Sequence, residues 1–168
     1  YLAKNKNGRL FLEFYKSSSN TVLSCQKLNF SLQAGMPASV VLPQLTKLWL
    51  VGKSLDKVCD PLIKQWQKAG YQTDDVVLQR ISLAADGGKH TLIPYLTKLL
   101  PKEKQYLGKL WHQVRRDPAT VARQSKFINK SAIESQIYSY GIKRLVWRDP
   151  NRALASFKSA QKDFEFST

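Results

Sequence analysis

The stretch LWLVGKSLDKVCDPLIKQWQKAG, residues 48–70, carries a Gly-Lys-Ser triplet, one of the chain's two cysteines and an Asp-Pro step. A phosphate-binding loop would need a second glycine five positions before Gly52, after a strand, so that successive backbone N–H groups wrap the phosphates. That position holds Lys47, and the preceding Leu45, Leu48 and Trp49 are spaced like one face of a helix. Gly52-Lys53-Ser54 therefore reads as the turn after a Trp-bearing helix. Downstream, Leu62, Ile63, Trp66 and Ala69 fall on one helical face, and Gly70 stands as its stop. Asp60-Pro61 reads as the start of that helix, because Asp is a strong N-cap and Pro suits the first helical position.

The same grammar extends in both directions. Thr73 is placed to cap a helix with Asp74 and Asp75 in its first turn, and Val77, Leu78, Ile81 and Ala85 form its apolar stripe before Gly87-Gly88. Leu107, Leu110, Trp111 and Val114 form a second stripe, and Ile133, Ile137, Gly141 and Leu145 a third. Asp117-Pro118 and Asp149-Pro150 repeat the helix-start signal, while residues 17–20, 35–37 and 100–101 read as further connections. No stretch alternates like a strand. These patterns predict an all-α chain of about nine or ten helices of roughly 10 to 17 residues. Short links make successive helices antiparallel, giving an irregular array of helical hairpins that forms a segment of α-superhelix, or solenoid. No internal boundary interrupts it, so residues 1–168 are expected to be a single domain or a fragment of one.

Composition fits this reading and narrows the partners. The chain has 168 residues, 43% hydrophobic and 23% charged, which describes a globular domain with a real core. No apolar run reaches the length of about 18 residues that spans a membrane. The opening YLAKNKNGRL has neither an initiator Met nor an apolar leader, which predicts a mature or excised segment. Twenty-seven Lys and Arg against twelve Asp and Glu give a net charge of +15, dispersed along the chain. A folded surface with that field favours an anionic partner: nucleic acid, an anionic membrane surface or an acidic wall polymer.

Two cysteines and two histidines, His90 and His112, lack the spacing of a zinc cluster, so no metal site and no cofactor are expected. Neither histidine has a carboxylate at ligand spacing, and each reads as a surface or helix-end residue. Spacing alone leaves Cys25 and Cys59 either as two buried thiols or as one disulfide, since sequence does not fix the distance between their Cα atoms. A bridge would imply an oxidising compartment.

Residues 48–70 resemble the Leu-Trp-Leu, Gly-Lys-Ser and Cys-Asp stretch of the soluble lytic murein transglycosylases of Gram-negative bacteria. YLAKNKNGRLFLEFYKSSSNTVLSC, residues 1–25, is similar to that family's preceding hairpin, and YQTDDVVLQRISLAADGGKHTLIPYLTKLLP, residues 71–101, to its following one. Beyond about residue 102 only the helical rhythm and the Asp-Pro starts continue. The resemblance implies the α-superhelical region that precedes a lysozyme-like domain. In this family that domain cleaves peptidoglycan glycan strands without hydrolysis, giving a 1,6-anhydro product. It also implies a periplasmic location and a disulfide between Cys25 and Cys59, which match the family's paired cysteines. Peptidoglycan and the catalytic domain of the same parent chain are the partners it implies.

Catalytic residues are expected to lie elsewhere. Glu134-Ser135 matches the family's catalytic dipeptide, yet the single methionine, Met36, rules out a Gly-Leu-Met-Gln block, and the Ala-Tyr-Asn-Ala-Gly block is also missing. The short stretch after Ser135 cannot hold a lysozyme-like domain. Glu134 flanks an apolar stripe and is expected to be solvated; Trp49, Trp66, Trp111 and Trp147 are expected in the core. Arg115, Arg116, Lys143, Arg144, Arg148 and Arg152 form the candidate basic patch facing a polyanion or glycan. The expected function is a non-catalytic superhelical region that scaffolds the catalytic domain of a lytic transglycosylase and contacts glycan strands. The alternative is a basic helical-repeat module for a protein or nucleic acid. Nucleic acid is disfavoured because no recognition motif accompanies the charge.

Overall fold

Caps and stops divide the chain where local chemistry requires. The computed structural model describes residues 7–16 and 18–164, so residues 1–6 and Ser17 of the N-terminal hairpin and its connection lie outside the described residues. Among the described residues there are nine α-helices and no strand. They are α1 (Gly8–Phe14), α2 (Thr21–Gln33), α3 (Ala38–Trp49), α4 (Asp60–Lys68), α5 (Asp74–Asp86), α6 (Ile93–Thr97), α7 (Gln105–Arg116), α8 (Ala132–Leu145) and α9 (Pro150–Ala160). Asn20 caps α2 by accepting from the N–H of Val22 at 2.9 Å, and Thr73 caps α5. Asp149 caps α9 with Pro150 at its first position. Gly70, at φ +82°, supplies the left-handed stop after α4.

Four local expectations change. Asp60 is the first residue of α4 rather than its cap, because a 3-10 turn, Lys57–Cys59, runs straight into the helix and is capped by Asp56. Asp117-Pro118 starts a five-residue 3-10 segment, Pro118–Ala122, instead of an α-helix. That segment is seated directly on α8: a Cβ at Gly141 would lie 2.4 Å from a methyl of Val121 and 2.6 Å from one of Val114. Ala69 is exposed, so the buried face of α4 ends at Trp66. α1 and α6 are also shorter than the spacing predicts, at 7 and 5 residues.

Successive helices pack on each other from α1 to α4 and from α5 to α9, and α5 also packs on α7. One continuous apolar core runs from Cys25 to Phe164. Within it the rings of Trp49 and Trp66 lie 5.2 Å apart, and the Trp66 indole donates to Thr46 Oγ1 at 3.0 Å. Cys25 on α2 and Cys59, ahead of α4, are joined in a disulfide with Cα atoms 5.3 Å apart. Both are fully buried.

The turn at residues 50–53 ties the two runs of helices together. Arg80 of α5 is buried with its guanidinium 4.2 Å from the Trp49 ring centre. It donates to the carbonyls of Val51 at 3.2 Å and Lys53 at 2.9 Å. Burial pulls its pKa down to about 10, so it remains a cation at neutral pH, held by a ring face and two carbonyls. Lys89 N–H closes the same turn by donating to Gly52 O at 2.8 Å.

Candidate functional site

The helices enclose a cleft of about 1000 Å³ between α5 and α8. Its floor is α7, which packs against both walls. Trp111 of α7 lies 5.2 Å, ring to ring, from Tyr140 of α8. The Tyr140 hydroxyl donates across to the carbonyl of Ala85 on α5 at 2.7 Å, so one side chain bridges the walls. Burial pushes the Tyr140 phenol above its ordinary pKa, and Asp86 adds to the rise. The positive charges of Arg144 and Arg115 oppose it. Ser82, Gln136 and Ser139 add hydroxyl and amide groups to the walls. A smaller hollow of about 550 Å³ shares Leu83 and Asp86 with the cleft and ends at Lys53, Lys89 and the Gly87-Gly88 backbone.

The six residues of the candidate basic patch are spread over α7, α8, the turn before α9, and α9 itself. Arg115 and Arg144 are half-buried, Arg144 with its guanidinium 5.6 Å from the Tyr140 ring centre. Lys143 lines the cleft. Arg116 sits close enough to His112 to depress its pKa, and Arg148 and Arg152 are exposed where α8 gives way to α9. None of the six forms an ion pair among the described residues.

Two expectations about single residues are overturned. Trp147 is 90% exposed, because α8 has already ended at Leu145 and the chain turns outward toward Asp149-Pro150; Trp49, Trp66 and Trp111 are buried. Glu134 is fully buried rather than solvated. It is the third residue of α8 and completes a capping box with Ser131. Its carboxylate accepts from the N–H of Asn129 at 3.0 Å and of Ser131 at 3.3 Å. The Ser131-x-x-Glu134 spacing carried that signal in the sequence. A carboxylate committed to two backbone donors in a closed turn is structural and has no access to a glycosidic oxygen. Glu134→Ala should destabilise the fold by about 2 kcal/mol and Glu134→Gln by about half of that. Denaturant midpoints of the two variants check this, and equal midpoints for native and Ala proteins would refute it.

His90 and His112 are brought together, with ring centres 6.2 Å apart and planes inclined at 29°. Burial, Arg116 and His90, in that order, lower the pKa of His112. The unfolded chain therefore takes the proton more readily than the folded one. The resulting stability is present above the ordinary histidine value, near pH 6.5, and is lost as pH falls through the depressed folded value. The drop in melting temperature between pH 7.5 and pH 5 should accordingly be smaller in His112→Gln than in the native chain. An unchanged drop would remove His112 from the account.

These features define the protein as a disulfide-linked array of helical hairpins with a cleft between α5 and α8. No protein-family model matches the chain. It is 35% identical over 74 residues to the soluble lytic murein transglycosylase of Salmonella typhimurium, covering 44% of this chain and 12% of the relative. It is 33% identical over 75 residues to that of Escherichia coli K12, covering 45% of this chain and 12% of the relative. Among solved structures it matches an inactive variant of the lytic transglycosylase Slt from Pseudomonas aeruginosa. That match has a TM-score of 0.85 at 28% identity and covers 99% of this chain and 27% of that one. At the level of this helical domain, the chain is similar to the soluble lytic murein transglycosylases. It spans about an eighth of the length of the curated relatives it matches.

Proposed function

We propose that the chain is the non-catalytic superhelical part of a periplasmic peptidoglycan lytic transglycosylase, where it scaffolds the catalytic domain and contacts glycan strands during wall turnover. The observation that carries this reading is the structural match over 99% of the chain, made to just over a quarter of a lytic transglycosylase. Three features support it. The Cys25–Cys59 disulfide suits an oxidising compartment. No helix among the described residues is long and apolar enough to cross a membrane. The +15 charge complements a wall polymer rich in carboxylates. Arg115, Arg116, Lys143, Arg144, Arg148 and Arg152 are the groups proposed to face that polymer. Glu134-Ser135, locked in a cap, supplies no chemistry here, and cleavage belongs to a separate domain of the parent chain.

Cosedimentation with purified murein sacculi tests the reading. The chain should pellet with sacculi at low salt, release progressively as salt rises, and liberate no 1,6-anhydro product. Failure to pellet at low salt, together with tight and steeply salt-dependent binding to oligonucleotides, would replace it with the nucleic-acid module.

A further inference from the structure

Trp147 is the most exposed large apolar side chain among the described residues, at 90%, with Phe14 and Ile128 next at 66%. Tryptophan is a large apolar ring that folded chains usually cover. This one stands at the corner where α8 gives way to α9, and residues 146–152 there are all exposed. Val146 beside it is 44% exposed, and Leu154, one turn into α9, is 53% exposed. Arg148 and Arg152 complete the corner and form no ion pair among the described residues. The corner's one carboxylate, Asp149, is committed to the α9 cap, where it accepts from the Arg152 N–H at 3.0 Å.

Apolar surface and uncompensated cations on one exposed corner call for a partner that offers hydrocarbon and anions together. A protein partner is disfavoured by size. A covered tryptophan supplies at most about 250 Å², against about 800 Å² per side in a stable protein interface. Nucleic acid would satisfy the arginines and leave Val146 and Leu154 in water. A bilayer of anionic lipid satisfies every group, because Trp settles at headgroup level and basic residues are drawn to anionic lipid. No helix among the described residues is long and apolar enough to cross a membrane, so the contact is peripheral and reversible. We propose that the α8–α9 corner docks the chain on an anionic membrane surface, with Trp147 in the headgroup layer and Arg148 and Arg152 on lipid phosphates. The proposal goes beyond the wall-contact reading. The same two arginines that meet carboxylates on a wall polymer meet phosphates on a bilayer, and only the bilayer also takes up Trp147.

The test mixes the whole chain with vesicles of phosphatidylglycerol and phosphatidylcholine, and with vesicles of phosphatidylcholine alone. Trp49, Trp66 and Trp111 are each no more than 2% exposed, so a change in tryptophan emission reports Trp147. On the anionic vesicles the emission should shift to the blue and be quenched by a spin label on the upper acyl chain. Binding, read by flotation, should weaken as salt rises. Trp147→Ser should weaken it at least about tenfold, and Arg148→Gln and Arg152→Gln about fivefold each. All three side chains are exposed, so the melting temperatures should stay at the native value. Lys64→Gln on α4 and Val40→Ser on α3, exposed positions on other helices, should leave binding unchanged. Unshifted emission on anionic vesicles, native binding by Trp147→Ser, or displacement by free glycerol phosphate overturns the proposal. So does a Trp147→Ser chain that loses sacculi and keeps vesicles, since that places Trp147 on sugar. A native chain that binds vesicles and ignores sacculi upholds the proposal and ends the wall-contact reading.

Discussion

Replacing Gly88 with Ala should lower the melting temperature by about 10 °C, the largest effect expected of any single methyl group in this chain. A Cβ at Gly88 would lie 2.1 Å from the Gly52 carbonyl oxygen and 2.7 Å from the Gly52 Cα. Those atoms are backbone and cannot swing aside as the end of a long side chain does. The turn they belong to is also where Lys89 N–H meets Gly52 O and where Arg80 meets the carbonyls of Val51 and Lys53. Relief of the clash therefore breaks hydrogen bonds to a buried cation, for a total of about 3 kcal/mol. Gly87→Ala is the matched control, because a Cβ there meets nothing within 4 Å. Thermal unfolding of the two variants decides the point; equal melting temperatures would mean that the two glycines do not clamp the turn.

Removing the disulfide should have a comparable effect. Cys25 and Cys59 are 34 residues apart, and closing a loop of that length restricts the unfolded chain by about 3–4 kcal/mol in the chain-entropy treatment. The Cys25→Ser, Cys59→Ser double variant should melt about 10 °C below the native chain. Full reduction should bring the native protein to the same melting temperature and leave the double variant unmoved. A native chain insensitive to complete reduction would show that core packing around α2 and α4 suffices without the covalent tie.

Both effects involve residues 48–70 or their partners, and the sequence disclosed each only in part. Gly52-Lys53-Ser54 was readable as a turn and not a phosphate loop, because position 47 and the preceding apolar spacing settle that locally. The reason the turn needs glycine was not readable, since it lies in Gly88. Gly87-Gly88 reads as an ordinary helix stop, and only the folded chain lays it against Gly52. Arg80 likewise looks like one basic residue among many until α5 places it on Trp49.

The basic patch shows the same division. Lys and Arg recur on helix surfaces, and the sequence grouped six of them by proximity along the chain. Packing half-buries Arg115 and Arg144, sets Arg144 near the Tyr140 ring, puts Lys143 into the cleft and leaves Arg148 and Arg152 exposed. Trp147 and Glu134 go opposite to expectation for a related reason. Apolar character buries a residue only if its helix still faces the core, and α8 ends before Trp147. Charge exposes a residue only if no cap needs it, and the α8 cap needs Glu134.

By itself, the sequence determined the all-α class, most helix starts and stops, the apolar stripes and the family resemblance. Those signals act within about four residues along the chain, through caps, dipoles and helical periodicity. Tertiary structure alone decided the Gly52–Gly88 approach, the seat of Arg80, the stacking of His90 on His112 and the cleft over Trp111. These depend on contacts such as Arg80 to Val51, 29 residues apart, and Tyr140 to Ala85, 55 apart. Such contacts are set by how whole helices pack, and no local spacing encodes them.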